Sequence, residues 1–253
     1  MRPEFSVISP QKGWFPPNVH AFSTLREGGV SLAPYQGISV GGGLNLGDHV
    51  GDDSCAVARN REIFSNYLPS HVTFLTQVHG IEVVDAAQLK GNQIADGCVT
   101  SKVGVICAVL TADCLPVLLS DRHGTVVAAV HAGWRGLASG ILQVAINKMR
   151  GSGANEILAW MGPAIGPAQF EVGKDVLDAF PQLGASASQC FVSNNKHDKY
   201  LANIYLLARH ALAEVGVVQV DGGDHCTVTE RDKFYSYRRD RETGRMASVI
   251  WMD

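Results

Sequence analysis

Three nearly uninterrupted apolar runs, GVICAVL (104–110), LPVLLS (115–120) and TVVAAV (125–130), constrain this chain more than any other feature. Runs this short and this free of polar side chains suit strands buried on both faces. Pro116 stands near the start of the second run, where a missing donor is tolerated. A fourth run, HVTFLTQV (71–78), is rich in β-branched and aromatic residues and reads as a strand too. Downstream, Leu137, Ile141, Ala145 and Met149 recur at helical spacing, Leu142 and Ile146 widen the stripe, and Gly151 and Gly153 supply a stop. EILAWMGPAIG (156–166) reads as a strand running into a Gly/Pro loop. Helices are expected over 173–180 and 201–215, with further strands over 215–220 and in the closing MASVIWM. Strands and helices alternate without a strict βαβ rhythm, so the residues predict an α/β fold with mixed sheets and one domain spanning 1–253.

Bulk composition narrows the function classes. Apolar residues make up 46% of the 253 and charged residues 18%, a balance that suits a buried core and argues against disorder. A formal net charge of -3 gives no basic surplus, so nucleic acid is not an expected partner. Neither a signal-peptide core nor an apolar stretch long enough to span a bilayer is present, so no membrane partner is expected and the expected compartment is the cytoplasm. The six cysteines form no C-x-x-C pair, which removes zinc-ribbon and thioredoxin readings. In a reducing compartment they are expected to be free thiols.

Residues 26–53 are dense in glycine and end in acidic residues, a composition that favours an ordered loop over a helix. Arg26, Asn45, Asp48 and His49 lie among those glycines, which let a ligand approach the backbone. Long loops inside a domain are uncommon unless functional.

The sharpest constellation lies at the ends of three apolar runs. One ends in Gln77-Val78-His79-Gly80, one in Thr111-Ala112-Asp113-Cys114, one in His131-Ala132-Gly133-Trp134-Arg135-Gly136. Each delivers one metal-ligand type of side chain at its C-terminal end, where ligands bind in open α/β sheets. Two imidazoles and a thiolate suit zinc, and three protein ligands leave a fourth position open for chemistry. Copper accepts the same donors. The Gly-Trp-Arg-Gly stretch opens the following helix, whose free backbone amides, with Arg135, offer an anion grip.

Together, Q-V-H-G (77–80), T-A-D-C-L-P (111–116), H-A-G-W-R-G (131–136), R-E-G-G-V-S (26–31), L-N-L-G (44–47) and F-Y-S-Y-R-R-D (234–240) resemble the YfiH family. Its members also carry the names laccase-domain protein, polyphenol oxidase, purine nucleoside phosphorylase and peptidoglycan editing factor. The resemblance implies a single layered sandwich of mixed β-sheets flanked by helices, with His79, Cys114 and His131 as metal ligands. It implies phosphorolysis of adenosine, inosine and methylthioadenosine, and deamination of adenosine. Small-molecule partners follow, a purine nucleoside and phosphate, while the oligomeric state stays open. Arg26, Asn45, His49, Arg61 and Gln77 fall in or beside the matching segments and are carried over as pocket residues. Two positions depart from the pattern: Asn203 stands where many members have an acidic residue, and Ala164 where some have cysteine.

Three activities compete. In a zinc-dependent purine nucleoside enzyme, Arg135, Arg26 and Arg61 would bind phosphate, and Asp113 or His49 would move protons. In an amidase-type hydrolase editing UDP-muramyl peptidoglycan precursors, Cys114 would be the nucleophile and His131 its base. A multicopper phenol oxidase needs many ligands, often as H-x-H, and the nine histidines form no such pair.

Overall fold

The computed structural model describes residues 5–38, 41–91, 93–194 and 196–253. Its elements run β1 (Val7–Ile8), β2 (Val19–Thr24), β3 (Glu27–Gly29), β4 (Gly42–Gly43), α1 (Ser54–Ser65), β5 (Val83–Asp85), β6 (Gly97–Thr100) and β7 (Cys107–Thr111). There follow β8 (Leu115–Asp121), β9 (Val127–Ala132), α2 (Trp134–Ala138), α3 (Ile141–Gly151), β10 (Ile157–Met161), β11 (Glu171–Gly173), α4 (Lys174–Asp178) and α5 (Ala187–Cys190). The chain closes with β12 (Phe191–Ser193), β13 (Lys199–Ala202), α6 (Ile204–Glu214), β14 (Gln219–Gly222), α7 (Tyr237–Asp240) and β15 (Met246–Met252).

Two sheets stack face to face. The first, in the order β1-β2-β15-β7, is antiparallel throughout. The second, β14-β10-β8-β9-β6-β5, is mixed: its outer pairs are parallel and its inner pairs antiparallel. Side-chain alternation along each strand sorts the core into layers. Cys107 and Val109 of β7 meet Leu118 of β8 and Val127 and Ala129 of β9 between the sheets. Ala108 and Leu110, which alternate with Cys107 and Val109 along β7, join Phe64 of α1 on the outer face of the first sheet. Val117, Leu119, Ala128 and Val130 face the opposite way, into a core shared with Leu142 and Ile146 of α3 and Leu207 and Leu212 of α6. The result is the expected α/β architecture with helices on both outer faces.

The apolar runs at 104–110, 115–120 and 125–130 become β7, β8 and β9, and the runs at 156–161 and 246–252 become β10 and β15. The run at 71–78 does not become a strand. It carries one isolated bridge, Thr76 to Ile94, because a side chain takes the place of a ladder. The Gln77 amide bonds both backbone groups of Leu110, donating from Nε2 to the carbonyl at 2.8 Å and accepting the N–H at 2.7 Å, and so caps the edge strand β7. The helix expected over 137–149 is two helices, interrupted at Gly140, whose φ of 91° suits glycine. Residues 199–202 are strand, and Asn203 caps α6 by accepting from the Leu206 amide at 3.1 Å. An aspartate would make the same cap, which accounts structurally for one departure from the family pattern. Ala164, the other, is fully buried beside the Tyr205 hydroxyl.

Candidate metal centre

The turn 112–114 carries the chain from the edge of one sheet into the interior of the other. Asp113, at φ 90°, anchors it: its carboxylate accepts from Thr227 Oγ1 and from the Arg238 amide, both at 2.5 Å. Its carbonyl accepts from the Ile165 amide at 2.9 Å. That anchoring leaves Cys114 at the sandwich edge. His131, near the end of β9, shares the inter-sheet face of Ala129 by alternation and is 4% exposed. His79 is not at a strand end: it sits in a loop at φ 61° with an exposed ring.

The ligand atoms of His79, Cys114 and His131 all lie within 4.8 Å of one another. Cys114 Sγ is 3.7 Å from His79 Nε2, close to the N···S distance of about 3.5 Å that tetrahedral zinc imposes. Gly133 keeps the space between them clear. A Cβ there would lie 3.0 Å from His79 Cδ2 and 3.2 Å from Cys114 Sγ. The donor set and this glycine-lined gap fit one zinc ion, and copper accepts the same ligands.

One buried carboxylate organises two of the three side chains. Asp96 Oδ1 accepts from His131 Nδ1 at 2.8 Å, leaving Nε2 for an ion. The same carboxylate accepts the backbone N–H groups of Val78, His79 and Gly80 at 3.1, 2.9 and 2.7 Å, fixing the loop that carries His79 in its left-handed conformation. Burial pushes the Asp96 carboxyl up, but the hydrogen bonds from His131 and these amides outweigh it and hold it below the ordinary carboxylate range. Burial would raise the Cys114 thiol, yet hydrogen bonds and charge from His131 and His79 bring it down to about 6. His131 moves the other way: burial lowers it, and Asp96 and Cys114 carry it to about 9. Without an ion the pair is therefore a thiolate facing an imidazolium clamped by a carboxylate.

A cavity of about 420 Å³ opens on the three ligand side chains, walled by His49, Leu75, Gln77, Leu110, Tyr237 and Arg245. It shares His49, Leu75, Gln77 and Leu110 with a second cavity of about 410 Å³, which adds Asp48, Arg61, His71 and Phe74. Of the pocket residues expected from sequence, His49, Arg61 and Gln77 line this cleft. Arg61 donates to the Leu46 carbonyl at 3.0 Å, pairs with Asp48 at 3.2 Å and lies 4.8 Å over the Phe74 ring.

The others lie elsewhere or are already engaged. Arg26 is buried under its own loop, donating to the carbonyls of Arg231 and Gln36 and lying 4.9 Å over Tyr235. It lines a separate cavity with Pro34 and Asp232. Asn45 spends its amide on Gly47, Asp52 and Arg245. Arg135 is exposed and stacks 4.3 Å over Trp134, outside the cleft walls. Part of the 26–53 segment, Ser39 and Val40, lies outside the described residues. Sequence reasoning missed Asp96 and Arg245, and read Gly133 only as part of a helix-opening anion grip. Asp96, between Ala95 and Gly97 ahead of β6, resembles an ordinary turn residue, and Arg245 follows Thr243-Gly244 ahead of β15.

Residues 20–253 match the family described as multi-copper polyphenol oxidoreductase laccase. The chain is 50% identical over 250 residues to a Shigella flexneri protein named purine nucleoside phosphorylase YfiH, covering 97% of this chain and 98% of that one. It is 46% identical to a Haemophilus influenzae purine nucleoside phosphorylase, covering 94% and 96%. A crystal structure from Neisseria meningitidis, assigned to DUF152, superposes with a TM-score of 0.88 at 48% identity, covering 98% of this chain and 99% of that one.

Proposed function

The chain belongs to the multi-copper polyphenol oxidoreductase laccase family, and from that premise we propose that it acts as a purine nucleoside phosphorylase at a single-metal centre held by His79, Cys114 and His131. The observation that carries this reading is the cleft. A cavity of about 420 Å³ faces the three ligand atoms and shares His49, Leu75, Gln77 and Leu110 with a neighbour of about 410 Å³. Each is within the range of small-molecule sites, about 300–1,000 Å³, and the pair has room for a nucleoside and a separate anion. The names of the Shigella and Haemophilus relatives support the same activity.

In phosphorolysis an oxygen of phosphate bonds to C1′ of the ribose while the C1′–N9 bond breaks. The electron pair leaves with the purine, which takes up a proton, and ribose-1-phosphate remains. A bound zinc ion supplies Lewis-acid stabilisation of developing negative charge, and copper would bind the same donors. Leu75 and Leu110 give the purine an apolar wall, and the Gln77 amide, committed to Leu110, braces that wall. His49, common to both chambers, is within the cleft to move the proton, whereas the Asp113 carboxylate is committed to Thr227 and Arg238. Adenosine, inosine and methylthioadenosine are the substrates we assign. Deamination of adenosine, with water adding at C6 and ammonia leaving, uses the same chamber. The test is product analysis by mass spectrometry on metal-quantified protein. Adenosine with phosphate is expected to yield adenine and ribose-1-phosphate, and release of base at the same rate without phosphate would refute the assignment.

A second reading rests on the proximity of Cys114 to His131, whose Nδ1 is held by Asp96 at 2.8 Å. The three have the order of a nucleophile, its base and an orienting carboxylate, as an amidase-type hydrolase acting on UDP-muramyl peptides would require. A thiolate bound to a metal is a poor nucleophile, so the two roles exclude one another. An acyl adduct on Cys114 after incubation with a UDP-linked muramyl peptide would favour the hydrolase. The copper phenol oxidase reading has less support, because among the described residues one group of three side chains is close enough to share an ion.

A further inference from the structure

We propose that Arg245 is the oxyanion anchor of the metal-centre cavity, holding inorganic phosphate beside the His79–Cys114–His131 group. The name of the anion rests on the phosphorylase reading; the existence of an oxyanion site does not.

Arg245 walls the same cavity as the three ligand side chains. Its position is fixed from several sides. The main-chain N–H donates to Asn45 Oδ1 at 2.9 Å, and Nη1 donates to the carbonyls of Thr243 and Gly244, both at 3.0 Å. The loop backbone packs on its stem so closely that a Cβ at Gly47 would lie 2.8 Å from Arg245 Cγ. One end of the guanidinium fork is thereby pinned. The other edge, Nε and Nη2, has no hydrogen-bond partner among the described residues and is not sealed in the interior. Those two nitrogens are the pair that grips two oxygens of one anion.

Charge makes the same point. Burial lowers the Arg245 pKa, and the groups that act against that shift are Cys114, Asp113, Tyr237 and Tyr35. None is a carboxylate free to pair with it, since Asp113 is held by Thr227 and Arg238. A half-buried guanidinium without a bound counter-ion is costly unless an anion arrives. Three other arginines near this face stand apart from the cavity of the ligand side chains: Arg61 lines only the neighbouring cavity, where Nη1 pairs with Asp48 and Nη2 is buried without a partner, Arg26 lines another cavity, and Arg135 is outside the cleft. An anion on Arg245 lies in the chamber that faces the metal ligands, where the glycosidic bond of a bound nucleoside has to react.

The experiment is calorimetric titration of inorganic phosphate, and separately sulfate and acetate, into the full-length zinc-loaded chain and its Arg245→Gln, Arg245→Lys and Arg61→Gln variants. Phosphorolysis kinetics and zinc content are measured on the same preparations. Arg245→Gln is expected to weaken phosphate at least about tenfold and to raise KM for phosphate with KM for nucleoside unchanged. Arg245→Lys is expected to lose less, because it keeps the charge and forfeits the fork. Sulfate is expected to follow phosphate; acetate binding in its stead would overturn the phosphate assignment. If Arg245→Gln loses zinc or fails to fold, Arg245→Lys decides alone. Wild-type phosphate affinity in both Arg245 variants would overturn the proposal, as would loss confined to Arg61→Gln; phosphorolysis intact in both would leave the phosphorylase reading standing without it. Arg245-dependent phosphate binding in a protein that cleaves no nucleoside would sink the phosphorylase reading and keep the site.

Discussion

Asp96 organises the candidate metal centre through four hydrogen bonds, to His131 and to the 78–80 backbone. Asp96→Asn keeps the volume but turns half the acceptor set into donors aimed at N–H groups. Zinc affinity is expected to fall about 10–100-fold, the range for losing an orienting partner of a ligand. Competition with a chromophoric chelator reads it, and unchanged affinity would show that Asp96 serves the loop alone. Gly133→Ala isolates space from backbone strain, since Gly133 has an ordinary φ of -62°. The new methyl group would crowd His79 and Cys114 at 3.0 and 3.2 Å. Weaker zinc binding with little change in Tm is expected; an unaltered site would mean that the neighbours give way. That His79, Cys114 and His131 come together is legible in sequence because their chemistry is rare and each follows an apolar run. Asp96 and Gly133 are not, because what marks them is proximity across the fold. Arg26 and Asn45 mislead for a related reason: their donors are satisfied by nearby backbone, which residue type alone does not reveal.

Among the elements, strands buried on both faces were the readable ones, since β7, β8 and β9 have no polar face to confuse their period. The 71–78 run has the composition of a strand and lacks the partner, Gln77 having replaced a ladder with its side chain. The described part of the glycine-rich segment is held from outside, by a helix. Asn60 on α1 is fully buried and accepts from the Val30 amide at 2.8 Å. Its amide donates to Ser31 Oγ and to the carbonyls of Gly43 and Asn45. Asn60→Ala would leave several of these groups unpaired, each worth about 1–3 kcal/mol when buried. A Tm lower by several degrees and faster proteolysis between residues 30 and 43 are expected. A variant as resistant as wild type would show that the segment holds itself.

Across the whole molecule, the candidate metal centre stands where the two sheets meet at one edge. Cys114 belongs to the turn between them, His131 to the inner strand of the second sheet, and His79 to the loop strapped to Asp96. An ion gripping all three adds a further link between segments already joined by the β8–β9 ladder, by Gln77 on Leu110 and by Asp96. Binding that requires the folded arrangement stabilises it in proportion to the logarithm of ligand excess, about 2.7 kcal/mol at 100 times Kd. For a chain of this size that is about 5–10 °C in Tm. Chelation followed by dialysis is therefore expected to lower Tm by several degrees, and re-addition of zinc to restore it at one equivalent per chain. Cys114→Ala should abolish the zinc-dependent part of the shift. Several equivalents bound per chain, or a Tm indifferent to zinc in the wild-type protein, would be incompatible with one ion bridging the two sheets at this edge.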